Sequence, residues 1–380
     1  MKCASIFAAI LVATSSIAVA QDQKPVLTIH AARQTVTLPV TIRDKHGDLV
    51  PNADKADFTL TQDGRPQVID TLTRSSTEPF RIGLLVETSR GMMGALDSER
   101  KAATQFVDAM LPVEPPTSSA SGNQIFLLHF DREVELLRDL TASRDKLHTE
   151  LENMGPTSRH RDDRDGPETY DNPRESPRGG LASAQLYDAI YLASNDVLKH
   201  NAGVRNVLVV FSDGADQGSK VSLNEALDAA DKANAVIYTV YLKSESERNN
   251  PLFGRNDRRS GMGGGFPGGS GYPGGGGYPG GGYPSGGDRR DQKPSVDGRK
   301  IMAEIAKRTG GRYFETRKKG DLDDVYGIIV HELQGLYLLT YTPDKLESDD
   351  DYHKVVLTPK KNDLIVNLRM GFFAPGGKFN

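Results

Sequence analysis

The sequence predicts an α/β protein: a Rossmann-like doubly wound parallel sheet, with an N-terminal antiparallel β-sandwich before it and further β-strands after it. Three observations carry that expectation. Residues 26–70 alternate polar and apolar side chains, as in Val36-Thr37-Leu38-Pro39-Val40-Thr41-Ile42 and Phe58-Thr59-Leu60-Thr61, the period of strands with one buried face. From Phe80 the apolar runs become continuous, beginning with Ile82-Gly83-Leu84-Leu85-Val86, which marks strands buried on both faces of a parallel sheet. Stretches of helical spacing separate those runs, and such alternation predicts layered α/β architecture.

Taken in order, residues 1–20 combine an early lysine, an apolar run from Ile6 to Val19 and Ala18-Val19-Ala20 before Gln21. That is the layout of a cleavable secretory signal, and it predicts an exported product, periplasmic or extracellular. The run is too short to span a membrane, so no transmembrane span is expected in the mature chain. Cys3 is the only cysteine, so the mature chain is expected to have no disulfide and no thiol metal site. Turn signals at Lys45-His46-Gly47-Asp48 and Gln62-Asp63-Gly64-Arg65 punctuate the sandwich, which is expected over 26–77.

The α/β region is expected over 79–333. Strands are read at Ile82–Val86, Gln124–Phe130, Val204–Phe211 and Ala235–Leu242, with helices at Met92–Leu111, Thr141–Asn153, Leu181–Lys199 and Leu223–Asn234. Ser222-Leu223-Asn224-Glu225 fits a capping box. A Gly/Pro/Tyr-rich insert, 254–287, interrupts the pattern, and so many glycines with so little apolar surface predict disorder. The pattern resumes with a helix over Asp297–Arg308, the strand Arg312–Glu315 and a helix over Leu322–Leu333. Residues 334–376 read as a C-terminal β-addition, with strands at Gly335–Tyr341, Tyr352–Thr358 and Leu364–Phe373. The period does not say whether these strands meet the α/β core or the sandwich.

Lys plus Arg number 47 against 51 Asp plus Glu, for a net charge of −4, which gives no electrostatic argument for nucleic acid as a partner. Catalytic signatures are also absent. His331-Glu332 begins a zinc-like string, but Gly335 stands where the second histidine would be, and no nucleophile elbow or phosphate loop appears. The chain is therefore read as a non-enzyme.

Five segments together resemble the secreted von Willebrand factor type A-related (VWFA) domain proteins abundant in acidobacteria. They are Val40-Thr41-Ile42-Arg43-Asp44 through Asp63-Gly64-Arg65-Pro66, Ile82–Met92, Leu186-Tyr187-Asp188-Ala189-Ile190, Val207–Gly218, and Gln334–Pro343 with Gly371-Phe372-Phe373-Ala374-Pro375. The resemblance covers nearly the whole mature chain apart from the insert. It implies a sheet whose C-terminal loops can form a metal ion-dependent adhesion site, with an Asp-x-Ser-x-Ser loop, a threonine and an aspartate around one divalent cation.

Here the first loop reads Glu87-Thr88-Ser89-Arg90-Gly91, so the aspartate is lengthened and the second serine is lost. Asp213 keeps the third-loop carboxylate, while the threonine position falls at Ala184, with Ser183 one place away. Two readings follow. In one, Glu87, Ser89, Asp213 and Ser183 weakly hold Mg²⁺ or another divalent cation. In the other, Arg90 takes the metal's place by pairing with Glu87 or Asp213. Arg90, Met92, Gly214 and Asp216 are expected to line a partner-binding rim formed by the loops 87–93, 179–186 and 213–219. The expected function is an exported protein-binding module for adhesion or assembly. The alternative is an envelope structural scaffold, free of metal, whose insert makes the contacts through Tyr272, Tyr278 and Tyr283.

Overall fold

The computed structural model describes residues 35–74, 78–114, 122–157, 184–199, 205–244, 297–316, 321–343 and 351–374. The export signal, any strand before Thr35, Ser183 and the insert lie outside the described residues.

The chain opens with strands β1 (Val36–Asp44), β2 (Phe58–Gln62), β3 (Arg65–Gln67) and β4 (Ile69–Arg74). β2 and β3 pair antiparallel through a tight turn in which Asp63 and Gly64 take φ of 50° and 77°, as an Asp-Gly turn of the primed type requires. The middle of the chain supplies β5 (Phe80–Glu87), α1 (Leu96–Met110), β6 (Gln124–Phe130), β7 (Val134–Thr141) and α2 (Arg144–Asn153). It continues with α3 (Leu186–Leu192, running on into a π-turn over Ala193–Leu198), β8 (Arg205–Ser212), α4 (Leu223–Lys232) and β9 (Ala235–Leu242). The last part contains α5 (Gly298–Thr309), β10 (Tyr313–Thr316), α6 (Asp321–Gln334), β11 (Tyr337–Tyr341), β12 (Tyr352–Pro359), β13 (Leu364–Leu368) and β14 (Gly371–Phe373).

The central sheet has six strands in the order β10-β9-β8-β5-β6-β7, parallel throughout except for β7, which runs antiparallel to β6 at the edge. Every residue of β5 and β9 is buried, which is why their sequences are continuous apolar runs. One sheet face packs on α1, α2 and α6 through Leu84, Phe106, Leu147, Phe211 and Ile329. The other packs on α3, α4 and α5 through Leu85, Ile190, Leu227, Val210 and Ile305. Caps fix the helix starts: Ser222 and Glu225 close a reciprocal capping box on α4, and Ser143 caps α2, two residues beyond the expected start at Thr141. Thr141 is instead the last residue of β7.

The sandwich differs from the expected N-terminal unit. Its sheets run β13-β1-β11-β4 and β14-β12-β2-β3, so β11 lies between β1 and β4, and β12 flanks β2. The described residues 35–74 thus do not close a sandwich by themselves; the C-terminal strands complete it around Leu38, Val40, Ile42, Leu60, Leu339 and Leu357. The expected single strand over Leu364–Phe373 is two, split at Arg369, whose fully buried guanidinium turns inward to the carbonyls of Asp231 and Ala235.

A buried ion pair also ties the sandwich to the α/β layer. Glu332 of α6, 2 % exposed, receives Arg43 of β1 at 2.8 Å and Arg312, just before β10, at 2.6 Å. His331 beside it is exposed. Removing one member of a buried pair leaves a desolvated charge, which costs about 3–5 kcal/mol. Glu332→Ala should therefore lower the unfolding free energy by about that amount, read as a lower urea midpoint at an unchanged slope. Arg43→Leu combined with Glu332→Leu should recover most of the loss. Equal midpoints for wild type and Glu332→Ala would contradict this view of the junction.

Candidate functional site

β5 and β8 are hydrogen-bonded neighbours in parallel register, with Val86 opposite Phe211, so their last residues, Glu87 and Ser212, emerge side by side at the C-terminal end of the sheet. The strand order reverses here, since β6 and β8 leave β5 in opposite directions, and loops at such a point form a crevice.

Glu87 is 1 % exposed, and a buried carboxyl must be hydrogen-bonded. Ser89 Oγ donates to its Oε1 at 2.5 Å, while Ser212 Oγ at 2.7 Å and the Asp213 amide at 3.2 Å donate to its Oε2. One carboxyl therefore links the loop after β5 to the loop after β8. Around it the backbone is tightly held. The Gly214 amide donates to Ser212 Oγ at 2.9 Å, and the Ala215 amide to Asp213 Oδ1 at 2.9 Å. Thr88 shares a hydrogen bond with His129 Nδ1 at 3.1 Å, and His129 Nε2 meets Glu135 at 3.0 Å.

Two glycines bring α5 onto this loop. A Cβ at Gly214, where φ is +71°, would stand 2.3 Å from the Gly298 carbonyl oxygen, and one at Gly298 would stand 2.0 Å from the Asp213 carbonyl oxygen. On the other side of the cluster, a Cβ at Gly91 would lie 3.5 Å from Ser244 Cβ and 3.8 Å from Ser89 Oγ. Ser244 and Asp297 are the described residues that flank residues 245–296, so both flanks of the Gly/Pro/Tyr insert stand at this end of the sheet.

Not every expected site residue is where the sequence suggested. Glu87, Ser89 and Asp213 come together, and Ser183 lies outside the described residues. Arg90 is exposed and makes no ion pair among the described residues, so it does not replace a metal by bridging to Glu87 or Asp213; the two serine hydroxyls satisfy Glu87 instead. Met92 is 1 % exposed and packs in the core, while its neighbour Met93 faces outward at 43 %. Gly214 is buried as well. Asp216 is occupied internally, accepting from Ser219 Oγ at 2.6 Å and the Tyr187 amide at 3.2 Å. Of the four expected rim residues only Arg90 is exposed to solvent.

Sequence reasoning missed two groups. Ser212 lies in the quoted Ser212-Asp213-Gly214 string, but only strand pairing places its hydroxyl on Glu87. Glu99 of α1 is 1 % exposed, and neither of its oxygens has a hydrogen-bond partner. Burial, reinforced by the charge of Glu87, holds its carboxyl well above the usual carboxylate range.

Glu87, Ser89, Ser212 and Asp213 supply hard oxygen donors, which suit Mg²⁺, Mn²⁺ or Ca²⁺ in kind. In number they fall short of a full shell, and among the described residues no group of three or more His, Cys, Asp or Glu assembles. The space beside Gly91 is where a further hydroxyl would fit.

Burial, with the charge of Asp213 second, raises the Glu87 carboxyl to about 7 against the opposing bonds from Ser89 and Ser212. The folded chain then keeps a proton that the unfolded chain releases near the ordinary value of 4.5. The stability this provides is full below the unfolded pKa and is lost as pH rises through the folded one. Unfolding free energy should fall by up to about 3 kcal/mol between pH 4.5 and 7 from this group. Glu87→Gln, which cannot titrate, should flatten that part of the profile; an unchanged slope would contradict the assignment.

No protein-family model and no curated protein matches the chain. Among solved structures it is similar to proximal thread matrix protein 1 from the mussel byssus, at 11 % identity and a TM-score of 0.43, covering 72 % of this chain and 51 % of that one. The chain thus spans about half the length of the mussel protein. It is also similar to the conserved hypothetical protein BatB from Bacteroides thetaiotaomicron, at 15 % identity and 0.39, covering 67 % and 99 %. For the SpRpn10 VWA domain the values are 14 % and 0.30, covering 45 % and 78 %. The order of the six strands, the antiparallel edge strand β7 and the helices on both faces make this an α/β fold of the von Willebrand factor type A kind.

Proposed function

We propose that the chain is an exported, non-catalytic module that binds a protein partner at the C-terminal end of the central sheet, with a degenerate cation site beneath that surface. The observation that carries this reading is the cluster of Glu87, Ser89, Ser212 and Asp213, drawn from two loops and held together by one buried carboxyl. Such a cluster serves no fold requirement that an apolar residue would not meet more cheaply. Glu87, Ser89, Ser212 and Asp213 are the residues that would hold a divalent cation. When bound, the cation would offer an open coordination position to a carboxylate of the partner. The residues themselves would orient the loops and give up the Glu87 proton on binding. Export rests on the layout of Met1–Ala20. The non-catalytic reading rests on the sequence, which carries no nucleophile elbow, phosphate loop or zinc-protease string.

The scaffold reading, in which residues 254–287 make the contacts, is favoured by one specific observation. The described flanks of the insert, Ser244 and Asp297–Gly298, border the same cluster, so both readings point to one end of the molecule. Deleting residues 254–287 separates them, because partner binding through the loops would survive and binding through the insert would not.

Calorimetric titration with Mg²⁺, Mn²⁺ and Ca²⁺ tests the cation site. Saturable heat is expected in the parent and none in Asp213→Ala. Glu87→Asp combined with Gly91→Ser, which shortens the carboxylate and adds a hydroxyl where a Cβ meets no clash, should tighten binding about tenfold by raising the ligand count. No heat with any of the three cations, in either the parent or the double variant, would show that binding at this surface is metal-independent.

A further inference from the structure

A second surface, on the far side of α5 from the cluster, carries its own chemistry. A groove of about 400 Å³ opens where the sandwich edge meets the C-terminal half of α5. Its walls are β12 and β13, with Val355, Leu357 and Leu368 along them and Ala306 and Gly310 opposite.

Three features of this groove combine. The first is backbone edges without a neighbour among the described residues: there β13 is the outermost strand of its sheet, and β14 covers β12 only over Tyr352–Lys354, leaving the same edge of β12 open from Val356 onward. The second is apolar surface left in solvent, with Val356 43 % and Met370 40 % exposed in the groove and Ile365 of β13 45 % exposed beside it. The third is charge. Among the described residues Lys307, Arg312, Lys354 and Arg369 line the groove and no carboxylate does. Arg312 is engaged by Glu332, and Arg369 is buried against main-chain carbonyls. Lys307 and Lys354 are exposed and make no ion pair among the described residues.

We propose that this groove docks an extended acidic peptide segment of a partner protein, which adds as a strand to the open edge of β13. The main chain of such a segment would satisfy the free edge, as in β-augmentation. Alternate apolar side chains would lie against Val356 and Met370, and carboxylates would reach Lys307 and Lys354. Lysine on an edge strand can serve simply to deter pairing. A deterrent edge, however, does not need a cavity behind it or exposed Val356 and Met370 lining its mouth. An anionic amphiphile would match the charge and the apolar floor but would leave the strand edges unused, so the peptide is the better fit.

The test is fluorescence anisotropy of the full mature chain with a labelled probe peptide, Ac-Glu-Val-Thr-Val-Glu-Thr-amide. Its comparators are a version with proline for the second valine, a version with lysine for both glutamates, and dodecanoate as competitor. Saturable binding of the acidic peptide is expected, weakened about tenfold by proline, which removes a ladder donor. Lys307→Ala with Lys354→Ala should also weaken it about tenfold. Lys307→Glu with Lys354→Glu should transfer the preference to the lysine peptide. Both side chains are exposed, so an unchanged thermal unfolding profile will show that these variants fold. No binding of the acidic peptide, or equal binding of the proline version, would overturn the proposal. So would dodecanoate binding without peptide binding, which would reassign the groove to anionic amphiphiles.

Discussion

A carboxyl taken out of water has to be neutralised, paired or hydrogen-bonded, and much of the upper half of this molecule is arranged to meet that requirement at Glu87. Ser89 turns back to it from its own loop, and Ser212 and the Asp213 amide reach it from the neighbouring strand. The Gly214–Gly298 contact then brings α5 against the same loop. Asp188 holds the far end of that loop by accepting from the Lys220 and Val221 amides at 2.9 to 3.0 Å. Asp213 works against the arrangement by adding like charge nearby, while burial and the charge of Glu87 together hold the Glu99 carboxyl well above the usual carboxylate range. A site with surplus acid and few direct donors is one where a cation would be welcome and a proton can stand in for it.

The lower half is governed by a different constraint. Strands from both ends of the described chain share the two sandwich sheets, so the sandwich is closed only where strands from both sides of the α/β core meet, with Tyr337 opposite Val40 and Leu368 alongside it. Buried charges then lock the two layers: Arg43 of β1 on Glu332 of α6, and Arg369 on the carbonyls of Asp231 and Ala235. The cluster at the top of the sheet and the groove at the sandwich edge are thus features of one folding unit.

Much of the α/β layer was legible because its signals are local. The apolar runs at Gln124–Phe130 and Ala235–Leu242 coincide with β6 and β9, and the Ser222–Glu225 box starts α4 as written. β7 was missed because it is only half-buried and its adjacent Leu136 and Leu137 break the alternation. What period alone does not encode is pairing. Nothing in residues 26–77 shows that β11 will separate β1 from β4, and nothing in the loop after β5 shows that Met92 turns inward while Met93 turns out. The cluster was half legible for the same reason: Glu87, Ser89 and Asp213 follow from the loop pattern, but Ser212 and Glu99 gain meaning only when strand register and helix packing place them.

Glu87 is a buried carboxyl that holds its proton well above the usual carboxylate range, and the proposed cation would compete with that proton. Carbon-13 NMR titration of its side-chain carboxyl, assigned by comparison with Glu87→Gln and run with and without Mg²⁺, tests that claim directly. The account predicts a midpoint near 7 without the cation and a lower one with it, because a bound cation favours the ionised form. A midpoint in the ordinary glutamate range of about 4 to 5, unmoved by Mg²⁺, would contradict it.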